Sequence, residues 1–190
     1  MKKIKLTVVL LTLMIFIGGC SSKKNDSLKK SDDKINLKKE DNKTLDIMAL
    51  KENALDFPLE IIDYDILVQD EEFKSLYPDL YRVIVKNNSE VDIKEYEVAL
   101  LGWDDNDLPV KIKGDIDFGD GTYVRKLIAS DVNLIPGATY GEDSGMGLDK
   151  NISLKTLQPV IISFTDFEDN TIKNENAEPF IKAIEGKKIK

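Results

Sequence analysis

From Leu59 onward the apolar residues of this chain fall at alternate positions, in short runs broken by turn residues. That period of two is the signature of half-buried β-strands, since successive side chains on a strand point to opposite faces. Ile62, Tyr64, Ile66 and Val68 form one set, and Tyr81, Val83 and Val85 form another that is closed by Asn87-Asn88-Ser89. Val91 and Ile93 lead into Tyr96, Val98, Leu100 and Gly102, which end at Asp104-Asp105-Asn106-Asp107. A short run Leu108–Ile112 follows, then a loop Gly114–Gly121. Tyr123–Leu134 is a long strand candidate turned by Pro136-Gly137, and Pro159–Phe167 alternates again before Asp169-Asn170. About seven or eight short strands with frequent turn signals predict an all-β sandwich, with a barrel as the second choice. The end differs: Pro179 in a first turn, apolar Phe180, Ile181 and Ile184, and Gly186 as a stop predict a short C-terminal helix.

The start of the chain belongs to another class of sequence. Basic Met1–Lys5, an apolar run Leu6–Gly19 and then Cys20 follow the grammar of a secretory signal peptide. The run is shorter than the roughly 20 residues that a spanning helix needs. Ile17-Gly18-Gly19-Cys20 resembles the lipobox of bacterial lipoproteins, which implies cleavage before Cys20 and its modification with diacylglycerol and palmitate. More than one acyl chain makes anchoring stable, because a single chain binds membranes only marginally. The expected location is therefore the extracytoplasmic face of the cell membrane. Cys20 is the chain's one cysteine. The folded part therefore has no disulfide, thiol nucleophile or cysteine zinc site, and its core must suffice unaided.

Three regions follow: 1–19 as signal peptide, 20–57 as anchor cysteine and tether, and 58–190 as the folded domain. Removing the signal takes the 27 basic residues to 24 against 35 acidic ones, a net charge of −11. Residues 57–190 carry fifteen Lys and Arg against twenty-seven acids, or −12, whereas the tether is nearly neutral. An acidic domain disfavours nucleic acid and suits cationic or protein partners. Residues 21–43, rich in Lys, Asp, Asn and Ser, have too few apolar residues to predict a packed structure. Their lysines, next to a lipid anchor, suit either a solvated spacer or contact with an anionic leaflet. Between Thr44 and Leu55, Ile47, Leu50 and Ala54 predict a short helix that is marginal by itself.

The blocks Tyr77-Pro-Asp-Leu80, Val83-Ile-Val-Lys-Asn-Asn88, Trp103-Asp-Asp-Asn-Asp-Leu-Pro109 and Val132-Asn-Leu-Ile-Pro-Gly-Ala-Thr-Tyr-Gly141 are turn-and-strand landmarks. Together, across Pro58 to Lys188, they resemble an uncharacterised domain family of Gram-positive lipoproteins and zinc-ribbon surface proteins. The resemblance implies an immunoglobulin/fibronectin-like sandwich and brings no catalytic residues. This chain differs from the zinc-ribbon members in its lipid anchor and Lys-rich tether.

The chain contains no histidine, which removes the commonest general base and most zinc and copper sites. Gly141–Gly147 opens no helix with a lysine, so it is no phosphate loop. A carboxylate pair drawn from Asp104, Asp166 and Glu168 could serve a glycosidase, although nothing in the spacing makes two of them face each other. Asp115, Asp117 and Asp120, interleaved with Gly119 and Gly121, place oxygen donors as a calcium loop does. No Glu stands at the twelfth position, where Lys126 falls, so a polar turn is the leading reading of this loop. Trp103 beside Asp104, Asp105 and Asp107 marks a candidate binding spot, against a core role for the indole. No cofactor is expected. The sequence thus predicts a lipid-anchored, non-enzymatic module that binds an envelope protein through strand edges or loops. The alternative is a calcium- or carbohydrate-binding module.

Overall fold

The structure, a computed structural model, describes residues 46–189 apart from 71, 74 and 75. The signal segment, Cys20 and most of the tether lie outside the described residues. Two helices and eight strands follow one another: α1 (46–55), β1 (Leu59–Leu67), β2 (Leu80–Asn87), β3 (Ile93–Trp103), β4 (Arg125–Leu134), β5 (Thr139–Tyr140), β6 (Gly145–Gly147), β7 (Thr156–Asp166), β8 (Thr171–Lys173) and α2 (Ala177–Ile184). They form two four-stranded antiparallel sheets. The first has β1 and, on the other side of β2, both β5 and β6; the second has the order β4-β3-β7-β8. The chain is an all-β sandwich with a short C-terminal helix.

Alternation places the core. Tyr81, Val83 and Val85 of β2 face Tyr96, Val98 and Leu100 of β3 across the sandwich, joined by Val132, Leu134, Ile161 and Phe164. The Tyr81 hydroxyl donates to the Leu101 carbonyl at 3.1 Å, which fastens one sheet to the other. Burial pushes that phenol well above its ordinary range, so it stays a neutral donor. Several expected boundaries move. Leu108–Ile112 is not a strand but carries isolated bridges from Pro109 to Trp103 and from Ile112 to Thr122.

The other face of β3 is buried as well. Ala99, Leu101 and Trp103, with Val160 of β7, make a second core under the helices, closed by Ala54 of α1 and by Ala177, Phe180 and Ile184 of α2. Ile47 and Leu50 pack against it too. Part of the stretch assigned to the tether is therefore a third layer, because α1 gains on the sheet the burial that a lone short helix lacks. Asn174, buried, ties the layers: its side-chain amide donates to the carbonyls of Ala54 at 2.8 Å and Ile161 at 3.0 Å. No helix among the described residues is long and apolar enough to cross a membrane.

Candidate functional site

One end of the sandwich gathers the ends of β1 and β3 and the starts of β2, β4 and β7. A cleft of about 600 Å³ opens there. Ile66 and Val68 from the end of β1, Leu76 to Asp79 before β2, and the Leu148–Leu154 segment line it, with Asp115 on the rim. A second groove of about 400 Å³ runs on from it between β1 and the start of β7, sharing Ile66 and Leu154. Large apolar side chains stand in solvent around the opening: Leu76 is 72 % exposed, Val68 60 % and Tyr77 59 %.

The loop 114–121 continues from Asp115 and carries the most exposed apolar residues of the described chain, Ile116 at 81 % and Phe118 fully in solvent. Its base is fixed. The Asp117 carboxylate accepts from the Gly114 N–H at 2.9 Å and from Arg125 Nη2 at 3.0 Å, with Arg125 Nη1 2.9 Å from its other oxygen. The Gly114 amide, aided by the Arg125 guanidinium, holds this carboxyl below its usual range. Asp115 packs closely on the cleft side: a Cβ at Gly147 would lie 2.7 Å from its Oδ1 and 2.8 Å from Pro78 Cγ. The loop therefore projects two apolar side chains from an anchored base, a preorganised arrangement that lowers the ordering cost of contact.

The geometry of Asp115, Asp117 and Asp120 follows the leading reading of this loop as a polar turn. Asp117 is committed to Gly114 and Arg125, Asp120 stands in solvent, and no three acidic side chains among the described residues converge in metal-holding geometry. The spacing was that of a turn.

Trp103 takes the core role that stood against the binding spot in the sequence. It is 2 % exposed, packs in the second core, and its Nε1–H donates to the Lys187 carbonyl at 2.7 Å. Asp104 builds the adjoining turn, its Oδ1 accepting from the N–H groups of Asn106 at 2.8 Å and Leu108 at 3.0 Å. Asp107 adopts a positive φ of 61° in that turn, and its carbonyl accepts from Ile189 N–H at 3.2 Å. Trp103 and Asp107 thus pin the chain after α2, and Asp105 stands exposed between them.

Of the carboxylates considered for hydrolysis, Asp104 lies at the opposite end of the β3–β7 ladder from Asp166 and its neighbour Glu168. Trp103 sits opposite Thr156 at one end of the β3–β7 ladder, and Ile93 sits opposite Asp166 at the other. Ten residues of strand put Asp104 and Asp166 about 33 Å apart, far beyond the roughly 5–10 Å a glycosidase pair needs. Asp166 instead caps its own turn, accepting from Glu168 and Asn170 N–H at 2.9 Å each. The Asn170 amide holds its carboxyl below the usual range.

Two kinds of residue escape a reading by spacing. Asn87, fully buried, donates to the Val91 and Leu134 carbonyls at 2.8 Å each, so the turn after β2 is locked to the end of β4. The cleft walls come from four separated segments that only the tertiary fold assembles. The exposed Ile116 and Phe118 were legible as apolar residues alternating with acids in a glycine-bounded loop.

Comparison with known proteins adds the fold and no activity. No curated protein matches the chain. A solved structure of a hypothetical protein from Peptoclostridium difficile 630 is similar to it in fold, with a TM-score of 0.60 and 14 % identity over 70 % of this chain and 94 % of that one. Residues 80–187, from the first residue of β2 to the carbonyl that Trp103 holds, match a domain family of unknown function, so the chain belongs to the DUF5780 family.

Proposed function

We propose that this chain is a lipid-anchored, extracytoplasmic binding module without enzymatic activity, and that the cleft end of its sandwich docks an envelope protein. The lipobox-like Ile17–Cys20 supports the anchor. The observation that carries the docking reading is the end face itself. Val68, Leu76 and Tyr77 are exposed there together, beside Asp79, Asp115 and Asp149, and the exposed Ile116 and Phe118 follow Asp115 in the adjoining loop. Exposed apolar groups gathered in one patch mark interaction surfaces, whereas scattered ones do not. The non-enzymatic reading draws on the turn-capping roles of Asp104, Asp117 and Asp166 and on the absence of histidine from the sequence.

Two outcomes test this reading. Cys20→Ser is expected to move the protein from the membrane fraction to the soluble fraction of cells; retention in the membrane fraction sinks the anchor. In detergent-solubilised membranes, the paired substitutions Leu76→Asp and Phe118→Asp are expected to abolish a discrete complex on native gels while leaving thermal melting unchanged. Phe167→Asp, at an exposed position beside Asp166 at the opposite end, is expected to keep it. A complex indifferent to the cleft-end pair would refute the docking site.

A further inference from the structure

The groove that leaves the cleft runs beside a strand edge. Among the described residues β1 is the terminal strand of its sheet, paired on one side with β2. The other sheet edges are poor templates for an added strand. β5 has two residues, β6 and β8 have three each, and β4 is interrupted where Asp131 takes a φ of 58°. The part of β7 that β8 does not reach contains Pro159, which has no N–H to give a ladder. β1 has a bulge at Ile62 but is regular from Asp63 to Leu67.

The two faces of that regular stretch differ in chemistry. Tyr64 and Ile66 lie opposite Val83 and Tyr81, on the core side, and both line the groove with Leu154 and Leu157. Asp63 and Asp65 lie opposite Ile84 and Arg82, on the outer side. A strand laid against β1 would therefore set alternate side chains into a groove walled by Tyr64, Ile66, Leu154 and Leu157, with Lys155 and Thr156 among its polar lining, and the intervening ones beside two carboxylates. Opposite charges and apolar pairs at such cross-strand positions are favourable, and like charges are not. Asp65 is held by a forked contact to Arg82, at 2.8 Å and 2.6 Å. Asp63 is exposed, and its Oδ1 accepts the Tyr64 N–H at 2.9 Å, where a backbone carbonyl could take over.

We propose that β1, over Asp63–Leu67, accepts an added strand from a partner polypeptide whose residues alternate between apolar and basic, the apolar ones entering the groove toward the cleft. This rests on the binding-module reading and names the partner's chemistry. It also places part of the contact before residue 80, outside the stretch that matches the family.

The test uses the full chain in detergent with two synthetic seven-residue peptides, one alternating valine and lysine, the other valine and glutamate. The lysine peptide is expected to bind at least tenfold more tightly and to slow hydrogen exchange at residues 63–67. Asp63→Lys, at an exposed position, is expected to weaken that binding severalfold without changing the melt. Equal binding of the two peptides, or slowed exchange at another edge, would overturn the proposal. So would protection of 63–67 that rises with protein concentration in the absence of peptide, which would give the edge to a second copy. If the lysine peptide fails while the native-gel complex persists and still needs Leu76 and Phe118, the strand is refuted and the binding module stands.

Discussion

Phe180→Ala is expected to cost about 3–5 kcal/mol, the range for deleting a buried phenylalanine. Melting should fall by roughly 10 °C in a domain of this size. Phe180 is 2 % exposed and sits where α2 meets Ala99, Leu101, Trp103 and Val160. Its removal leaves a void that those neighbours cannot fill, since β3 and β7 are fixed by their pairing along the whole of β3. α2 has eight residues and gains little from its own hydrogen bonds, so it should fray before the sandwich melts. Hydrogen exchange in α2 reads this directly, with residues 81–85 of the sandwich core as the internal reference. A loss below about 1 kcal/mol would mean that the helical layer is not a core.

Gly141→Ala is expected to be as severe for a different reason. Gly141 has a φ of 114°, which side chains rarely adopt, and a Cβ there would lie 2.2 Å from the Val83 carbonyl oxygen. That oxygen belongs to a central strand and cannot retreat without breaking β2 from β1 or from β5. The strain alone is worth about 1–3 kcal/mol, and the clash adds to it. Gly137 is the informative control: it also has a positive φ, 81°, but nothing lies within 4 Å of its added Cβ. Gly137→Ala should therefore show the conformational cost without the steric one. Equal melting of the two variants would contradict the close approach of Gly141 to β2.

Much of the sandwich was legible because one face of each strand meets a dry core and the other meets water. Tyr81, Val83 and Val85 are the clearest case, and Tyr96, Val98 and Leu100 are their counterpart on β3. The same rule fails on the second face of β3. Ala99, Leu101 and Trp103 stand at the outward positions, yet they are buried because α1 and α2 cover them. That cover comes from residues more than forty positions before and seventy positions after, so no local pattern reports it. Trp103, followed by acids, has the look of a binding spot for the same reason. The calcium-like spacing of Asp115, Asp117 and Asp120 misleads because direction, not spacing, decides coordination: Arg125, eight residues beyond Asp117, claims that carboxylate. The cleft was beyond reach, since its walls at Ile66, Tyr77, Asp115 and Leu154 become neighbours only when both sheets have formed.

Docking at the cleft end of the sandwich sets that end apart from the Asp166 turn at the other. Its most direct test is site-specific photo-crosslinking in cells carrying the anchored full chain, with benzoyl-phenylalanine placed at Phe118 in one strain and at Phe167 in another. Both positions are exposed, so replacing either ring leaves packing intact. A discrete adduct of one mass from position 118, lost on adding Leu76→Asp, and none from position 167, is the predicted result. Adducts of the same mass and yield from both ends, or from position 167 alone, would mean that the cleft end is not the docking face.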